Sequence, residues 1–148
     1  MKRTHSFFIK EDNLVVTELS GELDSNDIEE WQLSLKNVIN SLEAHSKFKI
    51  LVNLHGFKAQ NFDAHKKFRV IIPLTLADYG WYVGYLRMFP EAAIMIHAPY
   101  NIHCIAAAHV HHDESKISNY AKNYTMINEG FFTDPLKARE WINGIIIQ

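Results

Sequence analysis

The sequence predicts a single α/β domain, residues 1–148, with a mixed sheet flanked by helices, and three observations lead there. A chain of 148 residues, 47% hydrophobic and 22% charged, is long enough to bury one sizeable core. Residues 6–19 show two apolar runs around a polar turn, the pattern of an initial β-hairpin. Beyond them, apolar residues at helical spacing alternate with short apolar runs lacking alternation, as in strands covered on both faces.

The hairpin combines an apolar, aromatic run at 6–9, a polar turn at 10–13 and a β-branched run at 14–19. Asp24 or Ser25 can cap a helix whose first turn carries Asp27, Glu29 and Glu30, favourable for the dipole. Ile28, Trp31, Leu35, Val38, Ile39 and Leu42 form its apolar stripe, Leu33 is an outlier, and the pattern ends near Ser46. Residues 48–54 read as a central strand that Gly56 ends. Asn61 or Asp63 opens a second helix with Phe62, Phe68, Ile71 and Ile72, which Pro73 kinks or ends.

Residues 74–89 are interrupted by Gly80 and Gly84 and crowded with aromatic rings. They suggest a broken helical excursion, with a strand at 82–86 as the alternative. A buried strand is expected at 92–97. Asn101 can cap a third helix, with Ile102, Ile105, Ala106, Val110, Ile117, Tyr120, Ala121 and Tyr124 approximating one face. A short strand at 130–133 and a last helix follow. That helix has Asp134 as cap, Pro135 at its first position, and Leu136, Ala138, Trp141, Ile142 and Ile145 on its apolar side. The order β-β-α-β-α-β-α-β-α implies a sheet mostly parallel beyond the hairpin.

Composition excludes several classes. Six Gly and four Pro leave no room for low-complexity or linker-rich readings. A net charge of −2 and a pI near 6.5 argue against nucleic-acid or anionic-membrane partners. Apolar runs are too short for a transmembrane helix, and residues 7–9 are too short for a secretory segment. Cys104 is the lone cysteine, which fits a reducing, cytoplasmic location.

Three stretches carry a family likeness. Val15-Val16-Thr17-Glu18-Leu19-Ser20-Gly21-Glu22-Leu23-Asp24 resembles the second strand of STAS domains and its Gly-x-Leu exit into the first helix. Phe48-Lys49-Ile50-Leu51-Val52-Asn53-Leu54, with Gly56-Phe57, is similar to their central strand and turn. Phe131-Phe132-Thr133-Asp134-Pro135-Leu136-Lys137-Ala138-Arg139-Glu140-Trp141-Ile142 resembles the last strand and the terminal Ala-x-x-Trp-Leu helix. The closest likeness is to SpoIIAA-like proteins, which implies a STAS/SpoIIAA-like fold and a regulatory or binding role, with a looser kinship to lipid-binding Sec14-type folds. One departure matters: phosphoregulated STAS proteins carry a Ser or Thr after the central strand. Here His55-Gly56-Phe57-Lys58-Ala59-Gln60-Asn61-Phe62 holds no hydroxyl, so phosphorylation-driven switching at this turn is not expected.

The candidate residues divide into four groups. In open α/β sheets ligands lodge beyond the carboxyl ends of the strands, which points to the loops at 55–61 and 97–101. His55, Phe57, His97 and Asn101 are the ligand candidates there, and His55, His97 and Asn101 could converge. Trp81 and Tyr85 represent the aromatic segment 79–89, which is either core, the lining of an apolar cavity, or a homodimer surface. His109, His112 and Asp113, at i, i+3 and i+4 of the expected third helix, form a weak alternative metal site among nine histidines. The plainer alternative for them is a solvated helix turn. Cys104 at that helix start reads as a small core residue, and Lys66, Lys67 and Arg69 as a solvated face. No matched carboxylates or nucleophile–base pair stands out, so no catalytic residue or cofactor is assigned. The sequence therefore points to a non-enzymatic binding module for a small apolar ligand or a protein partner. A histidine-based metal protein or small-molecule enzyme is the alternative.

Overall fold

The computed structural model describes residues 2–81, 83–85 and 101–147. It is an α/β structure with a mixed six-stranded sheet. Strands β1 (Arg3–Ile9) and β2 (Leu14–Leu23) pair antiparallel, Arg3 opposite Ser20 and Ile9 opposite Leu14. The 3-10 turn Lys10–Asp12 joins them, and Asn13 closes it with φ 50°, a left-handed conformation that asparagine tolerates. Helix α1 (Ser25–Asn40) starts at a reciprocal cap. The Asp27 amide donates to the Asp24 carboxylate at 2.9 Å, and the Asp24 amide donates to the Asp27 carboxylate at 3.0 Å. Its stripe buries Ile28, Trp31, Leu35 and Ile39, and Leu33 faces solvent.

Strand β3 (Lys47–Asn53) lies parallel to β2. The chain then turns at Gly56, whose φ of 86° suits glycine, and adds β4 (Phe57–Ala59) beside the far end of β2. Asn61 caps α2 (Phe62–Arg69) through the Ala64 amide at 2.9 Å. The break at Val70 before α3 (Ile71–Ala77) has a steric cause, since the Pro73 ring would clash with the Arg69 carbonyl in a continuous helix. Strand β5 (His103–Val110) pairs parallel with β3, then come α4 (Glu114–Tyr124), β6 (Glu129–Phe132) parallel to β5, and α5 (Pro135–Asn143). The main path across the sheet is β1-β2-β3-β5-β6.

Two faces carry two cores. On one, α1 to α4 cover Val15, Leu19, Phe48, Ile50, Val52, Ala107 and Phe131. On the other, α5 covers Leu14, Val16, Leu51, Ala106, Ala108 and Val110 with Ala138 and Ile142. Lys49 is buried on this second face, where its Nζ donates to the Ile142 and Ile145 carbonyls at 2.9 Å each. A cation thus caps the carbonyl end of α5.

Several expectations are corrected. Residues 102–110 are not the start of a helix capped by Asn101. His103–Val110 is a strand, and the helix begins after Asp113, which accepts from the Lys116 amide at 3.1 Å. The alanines that suggest a helix are fully buried on both faces of the strand: Ala106 and Ala108 lie under α5, and Ala107 faces the core that α1 to α4 cover. In α5, Leu136 faces solvent and Trp141 is half-buried, its ring tilted against Phe132 at 5.5 Å between centroids. Helix in the 74–89 stretch ends at Ala77, and residues 83–85 form no strand. The strand expected at 92–97 lies outside the described residues. Among those described, no helix is long and apolar enough to cross a membrane.

Candidate functional site

A cavity of about 320 Å³ opens at the carboxyl ends of β3 and β5, walled by α2 and α4. Val52 and Leu54 contribute from the end of β3, and His109 and Val110 from the end of β5. Phe68, Arg69 and Ile72 come from the α2–α3 side, and Lys116, Ile117 and Tyr120 from α4. Tyr85 and Phe131 complete the aromatic wall. A second cleft of about 370 Å³ adjoins it, sharing His65, Phe68, His111 and Lys116 and reaching Phe57, Lys58 and Asn61.

The parallel register of β5 and β6 builds the innermost part. Ala107 lies beside Glu129 and His109 beside Phe131, so every second side chain faces α4. His109 stacks on Phe131 at 4.9 Å between centroids and meets the Tyr85 ring edge-on at 5.3 Å. Tyr85 in turn stacks on Tyr120 at 5.5 Å. Behind these rings, Glu129 is 0% exposed. One of its oxygens pairs with His109 Nε2 at 2.9 Å, and the other accepts the Gly84 amide at 2.9 Å. This contact fixes the ring's orientation. Burial, the Glu129 charge and Tyr120 push the Tyr85 phenol well above its ordinary range, and burial also raises Tyr120. Both phenols therefore remain neutral donors.

The mouth has a different character. His111 Nδ1 accepts the Asp113 amide at 3.0 Å, and His112 Nδ1 accepts the Gly56 amide at 3.0 Å. Burial, then Lys116 and His112, push His111 down to about 4. Protonating Nδ1 would also forfeit its amide hydrogen bond. Burial, then Lys116 and Arg69, lower His65 as well.

The structure redistributes the sequence candidates. Phe57 and Tyr85 line the two compartments; His55 lines neither, and its ring lies 5.9 Å from that of His112. Asn101 does not converge with His55. It precedes the start of β5 and donates to His45 Nδ1 at 3.2 Å, whereas His55 follows the opposite end of the parallel strand β3. His97 lies outside the described residues. Trp81 is half-buried against the core and is not among the residues lining either compartment.

The homodimer face expected at 79–89 loses Tyr79, Val83 and Tyr85, which are buried in the core. Tyr82 and residues 86–89 lie outside the described residues. His109, His112 and Asp113 do not share a helix face, because His109 is on β5 and Asp113 is a cap. Among the described residues no three His, Cys, Asp or Glu side chains are placed to hold a metal ion. Cys104 is buried in β5 rather than at a helix start, and burial raises its thiol pKa. Of the basic cluster, Lys67 pairs with Glu29 and Arg69 turns to the cavity.

Sequence reasoning missed Glu129, Tyr120 and Phe131. Glu129 sits between Asn128 and Gly130, a context that reads as a turn, and no local signal marks it as buried. No protein-family model, curated protein or solved structure matches the chain.

Proposed function

We propose that this chain is a non-enzymatic binding module of SpoIIAA-like type whose cavity takes a small molecule with an apolar body. One observation carries it: an aromatic cavity of about 320 Å³ lies at the carboxyl ends of parallel strands, where open α/β sheets hold ligands. The STAS kinship is part of the proposal, supported by a hairpin leading into parallel β2, β3, β5 and β6. The hydroxyl-free turn at 55–62 supports a role that does not depend on phosphorylation there.

The test is a titration with the neutral fluorescent probe N-phenyl-naphthylamine, mapped by amide chemical shifts. Saturable binding with shifts concentrated at Tyr85, His109, Tyr120 and Phe131 is expected. An Ile117→Trp variant, which fills the cavity, should lose it while keeping its circular dichroism. Shifts elsewhere, or none, would refute the cavity as a ligand site.

The His109–Glu129 contact favours a second function, acid–base chemistry on the bound molecule. It requires turnover of a bound compound that disappears in His109→Gln while binding persists.

A further inference from the structure

We infer that the cavity takes a small hydroxylated aromatic molecule, with its hydroxyl hydrogen-bonded to His109 Nδ1 and its ring against Tyr120 and Phe131. This rests on the cavity being a ligand site at all. The inference comes from a ring nitrogen of His109 that the described residues leave unused. His109 lines the cavity, yet its side chain is only 8% exposed. Its Nε2 meets Glu129 at 2.9 Å, whereas its Nδ1 has no hydrogen-bond partner among the described residues. A buried polar atom ordinarily has a partner, and a purely apolar ligand that sealed Nδ1 in would leave it stranded.

The imidazole is not free to turn that nitrogen away. Glu129, fully buried, accepts the Gly84 amide at 2.9 Å with its other oxygen, so the acid that holds Nε2 is itself held. Phe131 stacks on the His109 ring at 4.9 Å with an interplanar angle of 16°, and Tyr85 meets it edge-on at 5.3 Å. Flipping the ring would break the Glu129 contact. Nδ1 is therefore a preorganised contact in the wall of an apolar space. A hydroxyl suits it in either tautomer, because it donates to an unprotonated nitrogen and accepts from a protonated one. A carbonyl or an ether only accepts. Phe68, Tyr85, Tyr120 and Phe131 supply aromatic walls for the body of the ligand, and rings pack on such walls in offset or edge-on arrangements.

Naphthol and methylnaphthalene share a ring system and differ in one hydroxyl, so together they separate this inference from the cavity proposal. In NMR titrations of the full chain, both should shift the Tyr120 and Phe131 amides. Only naphthol should move the His109 Nδ1 nitrogen resonance beyond the ring-current shift that the two compounds share. His109→Gln carries an amide nitrogen in place of Nε2 and has no counterpart of Nδ1. It should weaken naphthol about tenfold and change methylnaphthalene by less than about twofold, with circular dichroism confirming the fold. Where that variant does not fold, the Nδ1 resonance of the unsubstituted chain decides alone. Equal Nδ1 shifts from the two compounds, or equal losses for both in a folded His109→Gln, would overturn the hydroxyl contact while leaving the cavity proposal intact. Failure of both compounds to shift the Tyr120 and Phe131 amides would overturn both proposals.

Discussion

Glu129 shows how one side chain organises the site. Fully buried, it is tolerated because each oxygen has a partner, and the His109 ring and the Gly84 backbone are held in place as a consequence. His111 is a residue-scale device of the opposite kind, an imidazole kept neutral by burial, nearby cations and an amide aimed at its Nδ1. The unfolded imidazole titrates near 6.5 and the folded one near 4. Between those values the unfolded chain binds a proton that the folded chain does not. The stability His111 contributes is therefore complete above about pH 6.5 and is lost as pH falls toward 4. His65 shifts in the same direction. Because water screens a half-exposed ring, the His111 share is about 1–2 kcal/mol. Urea unfolding at pH 7 and pH 4 should show wild type losing about that much more stability than His111→Gln. Equal losses would show that His111 titrates normally in the folded chain.

At the scale of elements, two helices with similar apolar stripes carry unequal loads. Trp31 of α1 is fully buried, its indole N–H donating to Thr17 Oγ1 at 2.6 Å and its ring 5.8 Å from Phe68. Trp141 of α5 is half-buried at the margin of its face. Trp31→Ala should therefore cost about 3–5 kcal/mol. Trp141→Ala should cost about 1–2 kcal/mol. Equilibrium denaturation of both variants checks the order, and equal losses would contradict the burial difference. Spacing alone could not separate them, since both residues follow the apolar rhythm. What separates them is whether an element lies over the ring: β2 and α2 enclose Trp31, whereas Trp141 packs at the edge of its core beside Phe132 and Gly130.

Across the whole molecule, the two sheet faces are covered unevenly. Four helices share one face. Among the described residues α5 alone seals Leu14, Val16, Leu51, Ala106, Ala108 and Val110, and Lys49 anchors its carbonyl end. Burial holds the Lys49 ammonium below its usual range, with Asp12 opposing the shift. Removing residues 135–148 should expose a contiguous apolar surface and yield aggregating protein, measured by light scattering and soluble yield. A soluble monomer with native circular dichroism would show that the face tolerates water.

Local chemistry in the sequence determined the hairpin, α1, β3, α2, β6 and α5 with Asp134-Pro135; the structure chose Asp24 over Ser25 and Asn61 over Asp63 as caps. Each of these is marked by caps, turns or periodicity that act within a few residues. Only the tertiary structure decided that residues 103–110 form a strand, because α5 and β3 impose small, doubly buried side chains that resemble a helix when read alone. It likewise decided the His109–Glu129 contact, which joins residues 20 apart through the register of β5 on β6. The separation of Asn101 from His55 follows from strand direction, since parallel strands put the entrance of one and the exit of another at opposite ends of the sheet.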